Sequence, residues 1–407
     1  MLFVKVKDFV NSGEIEIKTG PFGTQLKAHE YTREGTPVLN VRNLGFSDVR
    51  TDKLEYVGAN TTERLSIHLL REGDIVFGRK GAVERHSFIT AREDGWMQGS
   101  DCIRLRILSN RINPRYLSYF FLTKKHQAYM MSACSHGTTM ASLNQGILEQ
   151  IVFPLPPREV QDRIVSILLS LDKKRDINQQ INDNLSQQLR LIFQHTFLNE
   201  AHPEWPVEKL GSFLSLERGL SYKGKFLSDS EGVPMVNLGN ILPNSVFRPE
   251  KLKFYTGDFK AKVIVKPGDI VVANTDLTQA REVLGSAIVI PDLGYPTIIC
   301  SHHISIVREC RISKHFIHGM LNSPSYRERV IGFATGTTVL ALPSETILNC
   351  EFALPPNELI VEYDSIAESY YQKSEQLRKE NQQLTQLRDT LLPQLMSGQL
   401  DVSEASL

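Results

Sequence analysis

Two loops of this sequence have a composition that suits contact with a nucleic acid. Phe77-Gly78-Arg79-Lys80-Gly81-Ala82-Val83-Glu84-Arg85-His86 sets four basic or potentially basic groups behind a buried strand end, with glycines that allow close backbone approach. Gly20-Pro21-Phe22-Gly23-Thr24-Gln25-Leu26-Lys27 is a second loop of that kind. Arginine matches the two acceptors of guanine, asparagine and glutamine match adenine, and lysine mostly holds phosphate. On that chemistry Arg79, Arg85, Gln25, Arg42 and Asn43 are candidate base readers, and Lys27 and Lys80 candidate backbone contacts. Further on, Val272 to Arg281 offers a different donor set in Asn274, Thr275, Gln279 and Arg281, and Asn240 recurs where Asn43 stands. For each of these residues the plain alternative is a solvated surface loop.

Other constellations point less clearly. Gly219-Leu-Ser-Tyr-Lys-Gly224-Lys225 follows most of the spacing of a phosphate-cradling P-loop, but Phe226 stands where a hydroxyl would ligate magnesium. A basic turn in which Lys223 and Lys225 touch a DNA backbone fits better. Cys300, His302, His303, Cys310, His315 and His318 hold atoms that suit zinc, without any zinc spacing. Ile298 to Val307 reads as one strand, which would send Cys300 and His302 to one face and His303 to the other. No amine-positioning Asn-Pro-Pro-Tyr motif, cofactor fingerprint, nucleophile elbow or carboxylate cluster is visible, so the chain is expected to catalyse nothing and to hold no cofactor or metal.

The elements that must position these loops occur twice. Gly35-Thr36-Pro37-Val38-Leu39-Asn40-Val41-Arg42-Asn43 is answered by Gly232-Val233-Pro234-Met235-Val236-Asn237-Leu238-Gly239-Asn240, and Gly73-Asp74-Ile75-Val76 by Gly268-Asp269-Ile270-Val271. Gly137-Thr138-Thr139 returns as Gly336-Thr337-Thr338, and Phe153-Pro154-Leu155-Pro156-Pro157 as Phe352-Ala353-Leu354-Pro355-Pro356. Short strand-like runs separated by glycine turns, with a helical pattern from Pro114 to Met131 and again from Lys314 to Ile331, make each copy a mixed α/β domain.

After each Pro-Pro pair, about forty residues pass with no glycine and almost no proline, which predicts a long helix of roughly 60 Å. Seam residues of a heptad frame run through Ile164, Ile167, Leu171, Ile181, Leu185 and Ile192 in the first helix. Tyr363, Ile366, Tyr370, Leu377, Leu384 and Leu391 continue that frame 199 positions on, so the two helices are expected to pair, with Lys174 and Lys373 at one seam position. The plain alternative is that each helix packs only on its own domain. The organisation expected is a domain over 1–155, a spacer helix over 156–199, a second domain over 200–354, a second helix over 355–400 and a tail over 401–407.

The 407 residues exceed one ordinary core, and 41% hydrophobic with 23% charged residues is the balance of a soluble globular protein. MLFVKVKDFV has early charges and no long apolar run, so neither a signal peptide nor a membrane span is expected. Five scattered cysteines suggest reduced thiols in a cytoplasm. Formal net charge is zero, but residues 1–154 carry 20 basic against 16 acidic groups and residues 355–407 carry 4 against 9. The first domain can keep a basic face, whereas the last helix suits a protein partner better than phosphates.

Taken together, the order domain, Pro-Leu-Pro-Pro with Glu159 and Gln161, long helix, second domain, Leu-Pro-Pro, long helix resembles the specificity subunit of type I restriction-modification enzymes. Gly20-Pro21-Phe22-Gly23, the two Gly-Asp-Ile-Val turns and the ending Leu391-Leu-Pro-Gln-Leu-Met-Ser-Gly-Gln-Leu-Asp-Val402 carry the resemblance, although Leu220-Ser-Tyr-Lys replaces the Gly-Pro-Phe-Gly loop in the second copy. The resemblance implies two target recognition domains, each reading one half of a bipartite asymmetric site on double-stranded DNA. It implies long helices pairing as an antiparallel coiled coil, an internal pseudo-two-fold repeat, and docking of two methyltransferase subunits. S-adenosylmethionine would belong to those subunits, and ATP and magnesium to the motor and nuclease subunits. The alternatives are a fused methyltransferase or nuclease with unrecognised motifs, and a coiled-coil scaffold without a DNA role.

Overall fold

The computed structural model describes residues 2–21, 23, 25–134, 141–199, 201–243, 246–276, 281–336 and 340–402. Two compact units emerge: Met1–Asp176 with Gln382–Leu407, and Ile177–Asn381. The first unit has a sheet in the order Ile15–Thr19, Cys102–Ile107, Ile75–Gly78, His86–Phe88, Phe46–Ser47. A second sheet runs Tyr31–Thr32, Glu55–Val57, Thr36–Leu39, Met97–Gln98. In the second unit the corresponding orders are Ser215–Arg218, Ile304–Arg308, Ile270–Ala273, Ala287–Val289, and then Leu227–Ser228, Lys253–Tyr255, Val233–Val236, Ile298–Cys300, Ile264–Val265. The sequence repeat is therefore a repeat of topology, down to the parallel pairing of Thr36–Leu39 with Met97–Gln98 and of Val233–Val236 with Ile298–Cys300.

The Gly-Asp-Ile-Val turns owe their recurrence to packing. Asp74 accepts the Arg71 N–H at 2.8 Å and takes both Nε and Nη2 of Arg106 at 2.7 Å, so the turn is locked to the neighbouring Cys102–Ile107 strand. Asp269 accepts the Lys266 N–H at 3.0 Å and Nη1 of Arg308 at 3.3 Å. Neighbouring Arg104 is buried as well, with Nη2 on Glu16 at 2.7 Å. Arg104 and Arg106 thus belong to the interior and are not available to phosphates, whereas Arg308 stays partly exposed.

Gly20 and Gly219 hold one further shared feature. A Cβ at Gly20 would stand 2.0 Å from the Gly99 carbonyl oxygen, and one at Gly219 would stand 2.2 Å from that of Ser301. Two backbones meet there, and neither can yield as a side-chain tip would. Gly20→Ala and Gly219→Ala are each expected to destabilise by about 1–3 kcal/mol, whereas Gly224→Ala, with nothing within 4 Å, should be near neutral. Urea midpoints of the three variants check this.

The helical pattern from Pro114 to Met131 is two helices, Pro114–Phe121 and Lys124–Cys134, because the Thr123 hydroxyl accepts the His126 N–H and starts a new helix. Lys314–Leu321 and Pro324–Gly332 divide in the same way at Ser323 and Pro324. The long helices run Arg158–Gln194 and Asn357–Ser397. Within the first unit Arg388 reaches Asp172 at 3.2 Å while Arg163 reaches the Val402 carbonyl at 3.3 Å, so these portions run antiparallel. Within the second unit Asn178 donates to Glu380 and Asn381 at 2.9 Å, and the Phe193 and Tyr363 rings lie 5.5 Å apart, again antiparallel.

The seam differs in detail from the heptad frame. Ile164, Tyr363 and Leu377 are buried, and Ile167, Leu171, Leu185, Ile192, Ile366, Tyr370, Leu384 and Leu391 are half-buried. Ile181 is 36% exposed, and Lys174 and Lys373 are exposed. Leu168, Asn178, Leu189, Phe193, Ala367, Leu392 and Leu395 are buried instead. Each helix packs on a globular core as well as on its partner helix, so its buried stripe is wider than a coiled-coil seam. Phe193 meets Phe316 at 5.5 Å, and Leu168 and Leu395 join Tyr116 and Tyr119 in one cluster. Mutual pairing therefore holds within each unit, together with packing on a globular core, and the alternative that each helix packs only on its own domain does not.

Buried histidines set an acid limit. Burial, reinforced by His126 and Arg115, lowers His86 to about 3, and burial lowers His126 to about 3 and, as the largest influence, His318 to about 4. The unfolded chain therefore binds protons first, so this stability is complete above about pH 6.5 and falls as pH drops toward those values. Melting temperature should fall steadily from pH 7 to 4.5. His126→Leu, which removes a ring with an unpartnered buried Nε2, should weaken that dependence in melts across the same range.

Candidate nucleic-acid interface

In the first unit the candidate loops converge where the Ile75–Gly78 strand ends. The Arg79 N–H donates to the Asp101 carbonyl at 2.7 Å, the Arg79 carbonyl accepts the Leu143 N–H at 2.8 Å, and the Gly20 N–H donates to the Cys102 carbonyl at 2.9 Å. Beyond this knot Lys80 is exposed, with Nζ 3.8 Å from an Asp101 carboxylate oxygen.

The second unit repeats the knot after the Ile270–Ala273 strand. The Asn274 N–H donates to the His303 carbonyl at 3.0 Å, its carbonyl accepts the Leu342 N–H at 2.8 Å, and the Gly219 N–H donates to the Ile304 carbonyl at 3.0 Å. Thr275 Oγ1 lies 2.9 Å from His303 Nδ1. Asn274 and Thr275 are buried, with the Asn274 amide donating to Ser305 Oγ at 3.1 Å, so both act by holding the His302-His303 turn. Burial is the first cause that lowers both imidazoles, followed by Arg218 for His302 and by His302 and Arg218 for His303. Both rings are thus neutral at neutral pH.

Elsewhere the candidates divide. Gln25 and Lys27 are exposed, as are Lys223 and Lys225, the last with Nζ 4.8 Å from the Phe226 ring centroid. Arg42 pairs with Glu55 at 2.9 Å, and Arg85 lies 3.4 Å from Glu84 and over the Phe46 ring. Asn43 and Asn240 are fully buried, and their amides bond Arg50 and Asp52 or Arg248 carbonyls while their Oδ1 atoms accept the Asn40 and Asn237 N–H groups. Such asparagines fasten a turn and face no groove, which is why they recur. Arg281 donates to the Ile331 carbonyl at 2.9 Å, and Gln279 lies outside the described residues.

The stretch from Ile298 to Val307 is two strands of different sheets, Ile298–Cys300 and Ile304–Arg308, with the histidines on the turn between them. Gly219, packed on Ser301, forces that turn. Tyr222 lies 5.4 Å from His302, and Arg218 Nε donates to the His302 carbonyl at 3.0 Å. The residues that sequence reasoning passed over are Asp101, Arg218 and Tyr222, and the signal for Asp101 was its place immediately before the Cys102–Ile107 strand, which the repeat duplicates. Among the described residues no group of three His, Cys, Asp or Glu side chains is placed to hold a metal, and no helix is long and apolar enough to cross a membrane.

Residues 25–187 match the family model described as the type I restriction modification DNA specificity domain. Similar proteins include the type I restriction enzyme MjaVIII specificity subunit of Methanocaldococcus jannaschii, 23% identical over 81% of this chain and 77% of that one. The HindI specificity subunit of Haemophilus influenzae is 20% identical over 81% and 87%. This chain is similar to type I restriction-modification specificity subunits. A putative type I restriction enzyme MjaX specificity subunit from M. jannaschii is 25% identical, with 62% of this chain aligned and only 65% of that relative spanned. The fold of this chain resembles the crystal structure of a type I restriction-modification S subunit from M. genitalium, with a TM-score of 0.53 at 16% identity over 99% of this chain and 96% of that one.

Proposed function

We propose that this chain is the DNA-reading, non-catalytic subunit of a type I restriction-modification complex, each globular part reading one half of a bipartite, asymmetric site. The observation that carries this reading is the twice-built knot: one backbone frame offers Lys80 and Asp101 in one unit and Thr275 and His303 in the other. A repeated frame with exchanged side chains suits two half-sites of unlike sequence. Recognition domains over 1–155 and 200–354, with spacer helices over 156–199 and 355–400, fit that division. Exposed Gln25, Lys27, Lys80, Lys223 and Lys225 are the side chains with most freedom to meet DNA. The acidic last helix would dock two methyltransferase subunits, which supply S-adenosylmethionine, while motor and nuclease subunits use ATP and magnesium in the cytoplasm.

Incubation of the purified chain with S-adenosylmethionine and duplex DNA tests the non-catalytic role. No methyl transfer is expected until modification subunits are added, and DNA affinity should fall steeply with salt. Transfer by the chain alone would contradict the assignment.

A further inference from the structure

Asp101 and His303 are one position in a shared frame, because each carbonyl accepts from the residue that follows its strand, Arg79 or Asn274. The next residue, Lys80 or Thr275, then reaches the side chain at that position, at 3.8 Å from Asp101 and 2.9 Å from His303. An exposed ion pair in the first unit is replaced by a neutral hydrogen-bonded pair in the second. We propose that 80/101 and 275/303 are the paired specificity positions of the two half-sites, with Lys80 and Asp101 fitted to a G·C base pair and His303 to a base-edge acceptor. This rests on the DNA-reading function proposed above.

The chemistry follows from what each group can offer. A carboxylate only accepts, and cytosine N4 presents a donor; an ammonium only donates, and guanine O6 and N7 accept. Both groups of the pair can turn outward, since their side chains are 55% and 53% exposed, and an exposed ion pair of this kind adds little to folding. In the second unit no carboxylate stands at this place. Thr275 Oγ1 and His303 Nδ1 share a hydrogen bond, and the tautomer in which Nδ1 accepts it leaves Nε2–H to donate, which suits the N7 edge of a purine. Thr275 is a positioning residue here, and His302, its ring 3.9 Å from that of His303, helps to fix the plane.

Methylation mapping in cells that carry the intact system, with the full-length chain as wild type, Asp101→Asn or His303→Gln, tests the assignment. Asp101→Asn is expected to lower discrimination at one base pair of one half-site by about tenfold or more, with the other half-site unchanged. His303→Gln should alter one position of the other half-site, and both purified variants should melt as the wild type does. If the wild type marks a bipartite site and both variants mark the same one, the pair assignment is overturned while the function stands. A single variant that alters both half-sites also overturns it. A wild type that marks no bipartite site removes the proposed function, and this inference with it.

Discussion

Asp74→Ala is expected to cost about 3–5 kcal/mol, a large share of a domain's stability of about 5–15 kcal/mol. Asp74 is 1% exposed and Arg106 12%, so the variant leaves a guanidinium in the interior with its bidentate partner gone. The same change in the second copy should be far milder. Asp269 is 18% exposed and Arg308 31%, joined at 3.3 Å through one guanidinium nitrogen, with the exposed Lys314 a looser partner at 3.7 Å, so Asp269→Ala should cost about 1 kcal/mol. Urea unfolding of the two variants reads this difference directly; equal losses would mean that burial does not set the worth of the motif.

Leu395→Asp is the second large effect. Leu395 is fully buried, in a cluster with Tyr116, Tyr119, Ile164, Val165, Leu168, Leu392 and Met396. A carboxylate there would lose its hydration without gaining a partner, a cost of several kcal/mol. The end of the last helix should leave the first unit, which hydrogen exchange would register as lost protection over 388–397 and over 161–168, while the Ile270–Ala273 strand keeps its own. Leu384→Asp, at a half-buried position, should do much less. Equal effects from the two would restore the heptad frame as the better guide to packing.

That contrast shows where sequence reasoning works. Two copies, their mixed α/β class and two long helices were legible because hydrophobic periodicity and the Gly-Asp-Ile-Val and Pro-Pro landmarks are local signals. Leu395 and Phe193 escaped the heptad frame because their burial comes from the globular cores, which no period along one helix reports. The site was legible only in part. Arg79, Lys80, Asn274 and Thr275 were placed at the right strand ends, since a buried run followed by glycine and polar residues marks an exit to a surface. Asn43 and Asn240 were misjudged because an amide that caps a turn and an amide that reads adenine look identical in one dimension. Asp101 and His303 acquire meaning only through the backbone bonds to Arg79 and Asn274, contacts across 22 and 29 residues of chain.

The central claim is that this chain gives a complex its two-part DNA target. Methylome sequencing of cells with and without the gene tests it most directly. The account predicts methylation marks at one asymmetric motif of two separated parts, present with the chain and absent without it. An identical methylome in both strains, with the modification subunits expressed in both, would contradict it.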